Sequence, residues 1–225
     1  AIYAAAYGYT LEKIAYRPLR NAPRLSPLIS AIGMSLFLQN YVLLAQTPDF
    51  LPFPALIPDF DFMEPIAHIM GSPELVILVT SAVSMVALTV LIKYTRIGKA
   101  MRATQQDMTM ARLVGVNVDN VISMTFIIGS VLAAIGGVLV GSYIGQINFY
   151  IGFMAGVKAF TAAVLGGIGN IPGAVLGALV LGLTEAYAAG YISSAYEDVF
   201  AFGVLVLILI LRPSGLLGKA VKLKV

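Results

Sequence analysis

Residues 94–120 read YTRIGKAMRATQQDMTMARLVGVNVDN, a long polar interruption between two strongly apolar runs. The stretch is basic: with Lys93 just before it, Arg96, Lys99, Arg102 and Arg112 stand against Asp107 alone, with Asp119 at its exit. Gly98 and Gly115 lie near its two ends, and the residues between them are mostly good helix formers. The pattern predicts a short helix outside the membrane, joining two spans. Such a piece is either a docking surface or a plain connecting loop, and the flanking sequence has to decide.

On either side the chain is apolar for the length a bilayer requires. Leu75 to Ile92 is an uninterrupted run of 18 residues, and Val121 to about Tyr143 follows the polar stretch. Further out, Leu28 to Ala45 is another apolar run of 18, and Ala195 to Leu211 closes the series before Arg212-Pro213 stops it. Ser194-Ala195-Tyr196-Glu197 has the spacing of a capping box at the start of that last span. With 59% hydrophobic residues, 11% charged residues and a mean hydropathy of +0.91, the composition excludes an ordinary soluble domain.

The charges are segregated. Of 14 Lys and Arg residues, all but Lys158 fall in residues 13–24, 93–112 and 212–224. Residues 46–74 carry five acids, six prolines and no Lys or Arg, and residues 185–198 are likewise acidic. Basic loops mark the cytoplasmic side, so the three basic segments are expected inside and the two acidic ones outside. Basic residues that flank spans form no nucleic-acid-binding face. The absence of cysteine excludes disulfides and thiolate metal sites. The single histidine, His68, has no second ligand nearby for metal or catalytic work, and no HExxH, GxSxG or GxxxxGK[ST] motif occurs.

Residues 145–191 must leave and return to the outer side. Their centre, GGIGNIPG at 166–173, is a breaker cluster suited to ending one helix and starting another. Two full spans around a cytoplasmic turn satisfy the parity, and so does a re-entrant hairpin of two half-helices. Lys158 would sit in mid-membrane in the first layout, which is costly, so the sequence favours the hairpin. Gly137, Gly141, Gly145 and Gly169, Gly173, Gly177 form two small-residue ladders, whose ordinary meaning is close helix packing. A sharper reading has the helix start at Asn170 to Gly173 aiming free N–H groups into a pathway. Gln39 and Asn40, inside the first complete span, call for an interhelical hydrogen bond or a water-filled path. Glu185 and Tyr187 read as interface or rim residues. The basic helix could instead lie on the lipid surface, but its apolar face (Met101, Met108, Leu113) is too sparse for deep burial.

Four strings carry a resemblance: EKIAYRPLRNAPRLSPLISAIGMSLFLQNY at 12–41, GKAMRATQQDMTMARLVGVNVDNVI at 98–122, KAFTAAVLGGIGNIPGAVLGALVLGLTE at 158–185 and LRPSGLLG at 211–218. Through them nearly the whole chain resembles the H-type permease subunit of bacterial branched-chain amino-acid ABC importers. Family members open with further spans and a glycine-rich region, so Ala1 is expected to correspond to a position well inside the typical chain. The short apolar start, residues 1–9, then reads as the tail of a helix.

The resemblance implies a fold and a machine. The fold is an all-α, polytopic helical bundle of the importer-permease type, a single transmembrane domain over 1–225 with a broken or re-entrant helix pair around residues 158–188. The implied location is the bacterial inner membrane. The implied partners are a homologous second permease, two cytoplasmic ATPase subunits that use the ATP, a periplasmic amino-acid-binding protein and the lipid bilayer. No cofactor is bound by the chain itself. Residues 93–120 become the cytoplasmic coupling loop, with docking at Gly98, Lys99, Ala100, Met101, Arg102, Ala103, Ala111, Arg112 and Gly115. Gln39, Asn40, Asn170 and Gly173 are the candidates for the translocation path. A permease of the same superfamily for a sugar, a nucleoside or urea is the near alternative. An ion-coupled transporter would need paired charges within the spans, and the intact spans contain none.

Overall fold

The computed structural model describes residues 1–19, 22–23, 26–54 and 71–218. Arg20, Arg24, Asp59, Asp61, Glu64, His68 and the lysines of the tail lie outside the described residues. The described residues are helical almost throughout, and the chain divides into two units, residues 1–151 and residues from 152 onward.

The first unit begins with α1 (Ile2–Leu11), which runs without a break into a π-helical turn at Glu12–Tyr16 and a 3₁₀ turn at Arg17–Leu19. α2 (Ser26–Ala45) and α3 (Ser72–Tyr94) follow. Pro73 and Glu74 open α3 and Lys93 lies in its last turn, each on the end that its geometry or charge suits. Two short helices, α4 (Arg96–Gln106) and α5 (Met108–Leu113), occupy the polar stretch. α6 (Val118–Ile144) has 27 residues and is about 40 Å long, more than the hydrocarbon core requires. A two-residue ribbon pairs β1 (Leu51–Pro52) antiparallel to β2 (Gln146–Ile147), with Leu51 opposite Ile147.

α1 packs along α6. Gly8 lies against Ser130 and the Phe126 carbonyl, and the rings of Tyr16 and Phe126 are 4.8 Å apart. Glu12 is fully buried in this seam, where Ser123 Oγ donates to its carboxylate at 2.7 Å. By contrast, Leu78, Val79, Val83, Val86 and Val90 of α3 are exposed, an arrangement that suits lipid or a partner rather than water.

The second unit holds most of α7 (Ile151–Gly166), with α8 (Ile171–Tyr191) and α9 (Glu197–Leu211). The broken pair expected around residues 158–188 is α7 and α8, parted at Gly167–Asn170. The second glycine ladder works by close approach. Gly173 lies on the Gly166 carbonyl and Gly177 on that of Ala162, so a side chain at either position would collide with backbone. Gly167, at φ +106°, makes the turn that an L side chain resists.

α8 is a long helix. Its 21 residues give about 31 Å, the length of a crossing. The objection to full spans was an isolated charge at Lys158, and the structure answers it. Lys158 Nζ lies 3.2 Å from Glu185 Oε1, 3.1 Å from Asp198 Oδ1 and 3.8 Å from Glu197 Oε1. One ammonium thus joins α7, α8 and the first turn of α9. The same contacts displace the expected capping box. Ser193, not Ser194, accepts a cap hydrogen bond (from Ala195 N, 3.3 Å), and Glu197 turns to the lysine. At the other end of α9, Leu216 N and Leu217 N donate to the carbonyls of Leu165 and Gly166 at 2.9 and 3.0 Å, which satisfies the end of α7 with the tail.

Candidate functional site

The basic stretch forms two helices where the sequence predicted one. Thr95 has extended backbone and caps α4: its hydroxyl accepts from Gly98 N at 3.0 Å and donates to the Leu91 carbonyl at 2.5 Å. Asp107 ends α4 and starts α5. Its carboxylate accepts from Thr109 N at 2.7 Å and Met110 N at 3.0 Å, a local bond that competes with a continuous helix. Gly115 then reverses the chain at φ +85°, a left-handed conformation that glycine adopts without strain. Asn117 caps α6 through Asn120 N at 3.1 Å. Each helix start in the stretch therefore carries a side-chain cap.

The candidate residues divide by direction. Gly98 is buried, and a side chain there would strike the carbonyls of Leu91 and Ile92, so α4 sits directly against the end of α3. Arg102 lies on the surface, but its Nη1 donates to the Ile92 carbonyl, an otherwise open C-terminal acceptor of α3. Its guanidinium is therefore engaged within the chain as well as facing outward. Ala111 is 2% exposed and anchors α5, whereas Ala100, Met101 and Ala103 are half-buried. Lys99, Arg112 and Gly115 are exposed. Arg112 Nη2 approaches Asp119 Oδ1 at 3.9 Å.

A cavity of about 440 Å³ opens beside them, lined by Arg112, Gly115, Val116, Asn117, Val118 and Asp119. Next to it Met108, Met110, Leu113 and Val114 are all exposed. This apolar rim is broader than the Met101, Met108 and Leu113 that the sequence suggested. Flexible methionine side chains on such a rim suit contact with another protein surface. The reading of the sequence missed Thr104, which is buried, and the part played by Asp107. The Asx-type spacing of Asp107 to Thr109 and Met110 was the available signal.

The four path candidates find partners within the chain. Gln39 Nε2 reaches Ser35 Oγ at 3.5 Å and Asn40 Nδ2 donates to the Leu36 carbonyl at 2.8 Å, so both bond one turn back within α2. Asn170 Oδ1 accepts from Gly173 N at 3.3 Å and caps α8, while its Nδ2 donates to the Leu217 carbonyl at 3.0 Å. Gly173 supplies the close approach to α7. Tyr187 stacks on Tyr191 at 5.9 Å and is exposed. Among the described residues no group of three or more His, Cys, Asp or Glu side chains is placed to hold a metal ion.

Comparison with known proteins adds the remaining information. A family profile described as "Branched-chain amino acid transport system / permease component" matches residues 1–209. The chain is 49% identical to the high-affinity branched-chain amino acid transport system permease protein LivH of Escherichia coli (strain K12), over 97% of this chain and 72% of that protein. It is also 49% identical to the permease protein BraD of Pseudomonas aeruginosa, over the same shares. A more distant similarity, 36% over 43% of this chain and 28% of the relative, links it to the autoinducer 2 import system permease protein LsrC of Yersinia enterocolitica. No solved structure matches.

Proposed function

The chain belongs to the family of branched-chain amino acid transport system permease components, and from that premise we propose that it is the membrane subunit of an ATP-driven importer of leucine, isoleucine and valine. One observation carries the reading: identity at about half of all positions over nearly the entire chain with permeases whose cargo is named. Such a subunit performs no chemistry of its own. Partner ATPases hydrolyse the ATP, and the permease converts their closure into movement of its helices.

Residues 93–120 are the coupling element in this proposal. Two capped helices seated on the end of α3 can move as one body and carry a push without absorbing it. Lys99 and Arg112 give the outer surface positive charge, and the exposed Met108, Met110, Leu113 and Val114 give it an apolar area for a cleft between ATPase lobes. A homologous second permease, two ATPase subunits and a periplasmic binding protein complete the assembly in the inner membrane. The basic loops lie on the cytoplasmic side. Lys158, midway along α7, is paired with three acids, which supports α7 and α8 crossing the membrane as a pair with their turn inside.

The similarity to an autoinducer 2 import system permease supports a second reading, the same machine with another small solute, because that relative is named for a different cargo. Uptake of labelled leucine separates the two. The full-length protein is reconstituted in proteoliposomes with its co-encoded partners, with ATP on the docking side and binding protein on the other. Leucine uptake that requires both is the expected result. ATP-driven uptake of a different solute would keep the machine and change the cargo, whereas leucine uptake driven by an ion gradient without ATP would refute the coupling role.

A further inference from the structure

We propose that Asp119 is a positioning residue that fastens the α4–α5 element to the α1–α6 pair, so that displacement of the element drives those two helices as well as α3. The proposal rests on the coupling role given to residues 93–120. At its front the element is held to α3 by Gly98 and by the Arg102 bond to Ile92. α4 also lines a groove with Asn120, Val121 and Met124 of α6, so the attachment still to be made is that of the α5 end of the element to α1.

Asp119 supplies that attachment. It stands in the first turn of α6, its Oδ2 accepts from Arg17 Nη2 at 3.0 Å, and its Oδ1 faces Arg112 Nη2 at 3.9 Å. One carboxylate therefore gathers α5, α6 and the turn that ends the helical path of α1, joining residues 102 positions apart. The π-helical turn makes this possible. Five residues of α-helix would rotate Arg17 away from the face that carries Glu12. In the π turn the Arg17 N–H instead donates to the Glu12 carbonyl, so the two side chains lie nearly in line. Glu12 meets Ser123 and Arg17 meets Asp119, four residues apart on one stripe of α6. Phe126 and Ser130 continue that stripe against Tyr16 and Gly8. The Arg17–Asp119 pair is thus the last contact of a seam that runs from the core of α1 and α6 to the coupling element.

Both partners are partly exposed, at 49% and 40% of their side-chain surface. Ion pairs of this kind add little to stability. The pair therefore matters for where the element is held, and its removal leaves the fold in place.

The test measures leucine transported per ATP hydrolysed by the reconstituted full-length complex, for Asp119→Asn, Arg17→Gln, the double variant and Asp119→Glu. Each neutral single variant is expected to lower the ratio about five- to tenfold, the size of effect that residues linking two sites produce. The double variant should be no worse than the poorer single one, because both remove the same contact. Asp119→Glu should restore most of the ratio. Arg17→Gln keeps the acidic first turn of α6, which separates the ion pair from any effect on that helix end. A wild-type ratio in both single variants would overturn the proposal and leave the importer reading standing, and so would losses that add in the double variant. ATP-independent uptake by the unaltered protein would overturn both.

Discussion

Replacing Gly98 by alanine sets two effects of opposite sign against each other. In an unobstructed helix the change stabilises by about 0.5–1 kcal/mol, because glycine loses more backbone freedom on folding. At Gly98 the added methyl would instead meet the carbonyl oxygens of Leu91 and Ile92 and the Ile92 carbonyl carbon. These are backbone atoms that cannot swing aside, so α4 would have to retreat by about 1 Å to restore ordinary contact distances. Overpacking of this kind costs about 1–3 kcal/mol, and the retreat also breaks the Arg102 bond to the Ile92 carbonyl, a further loss of about 1 kcal/mol. The clash exceeds the gain in helix propensity, and the expected net is about 1–3 kcal/mol against the seated position. The seated element would then be depopulated about tenfold, since 1.4 kcal/mol is a factor of ten. Leucine transported per ATP hydrolysed by the reconstituted complex should fall accordingly, alongside a lowered thermal midpoint. A Gly98→Ala variant that couples normally and melts higher would show that α4 does not rest on α3, and the rigid-body account would have to be abandoned.

Other variants probe the remaining contacts. Arg102→Glu places a carboxylate against the carbonyl end of α3; the complex should assemble and hydrolyse ATP without uptake, and normal uptake would remove the docking claim. Lys158→Met leaves Glu185, Glu197 and Asp198 facing one another without their cation. Buried pairs broken in this way lose 3–5 kcal/mol, and since Lys158 keeps 30% of its side-chain surface, about 1–3 kcal/mol is expected here. Thermal unfolding in lipid nanodiscs measures it, with partial recovery predicted when Glu185→Gln is added; an unchanged midpoint would show that the cluster carries no stability. Asn170→Ala removes the cap of α8, worth about 1 kcal/mol, and the bond to Leu217, so limited proteolysis should release the tail sooner. Cleavage at the wild-type rate would assign the hold on the tail to the Leu216 and Leu217 backbone bonds alone.

The α4–α5 element shows how far the sequence could be read. Its position, polarity and helical character follow from composition over 27 consecutive residues, a local property. The break at Asp107 is also local, but a single Asx cap is easily outvoted by the good helix formers around it. The inward turn of Arg102 is different in kind, because it depends on where the end of α3 lies. The same holds for Asn170, whose position at a helix start was legible while its bond to Leu217 was not. Lys158 is the sharpest case: read alone it argued for a hairpin, and read with its three carboxylates it permits a crossing helix.

From the sequence alone came the class of the molecule, its crossing segments, the alternation of basic and acidic loops and the stretch that reaches out of the bilayer. Hydropathy, charge and helix punctuation act over one or two turns of chain, so neighbouring residues are enough to state them. Which side of each segment faces inward was decided only in the folded protein. The closeness of α4 to α3 at Gly98, the engagement of Arg102, the neutralisation of Lys158 and the meeting of Arg17 with Asp119 all join residues that helix packing brings together. A carboxylate and a guanidinium 102 positions apart become neighbours only after α1 has packed along α6, because Coulomb attraction and hydrogen bonding act over a few ångströms of space and take no account of distance along the chain.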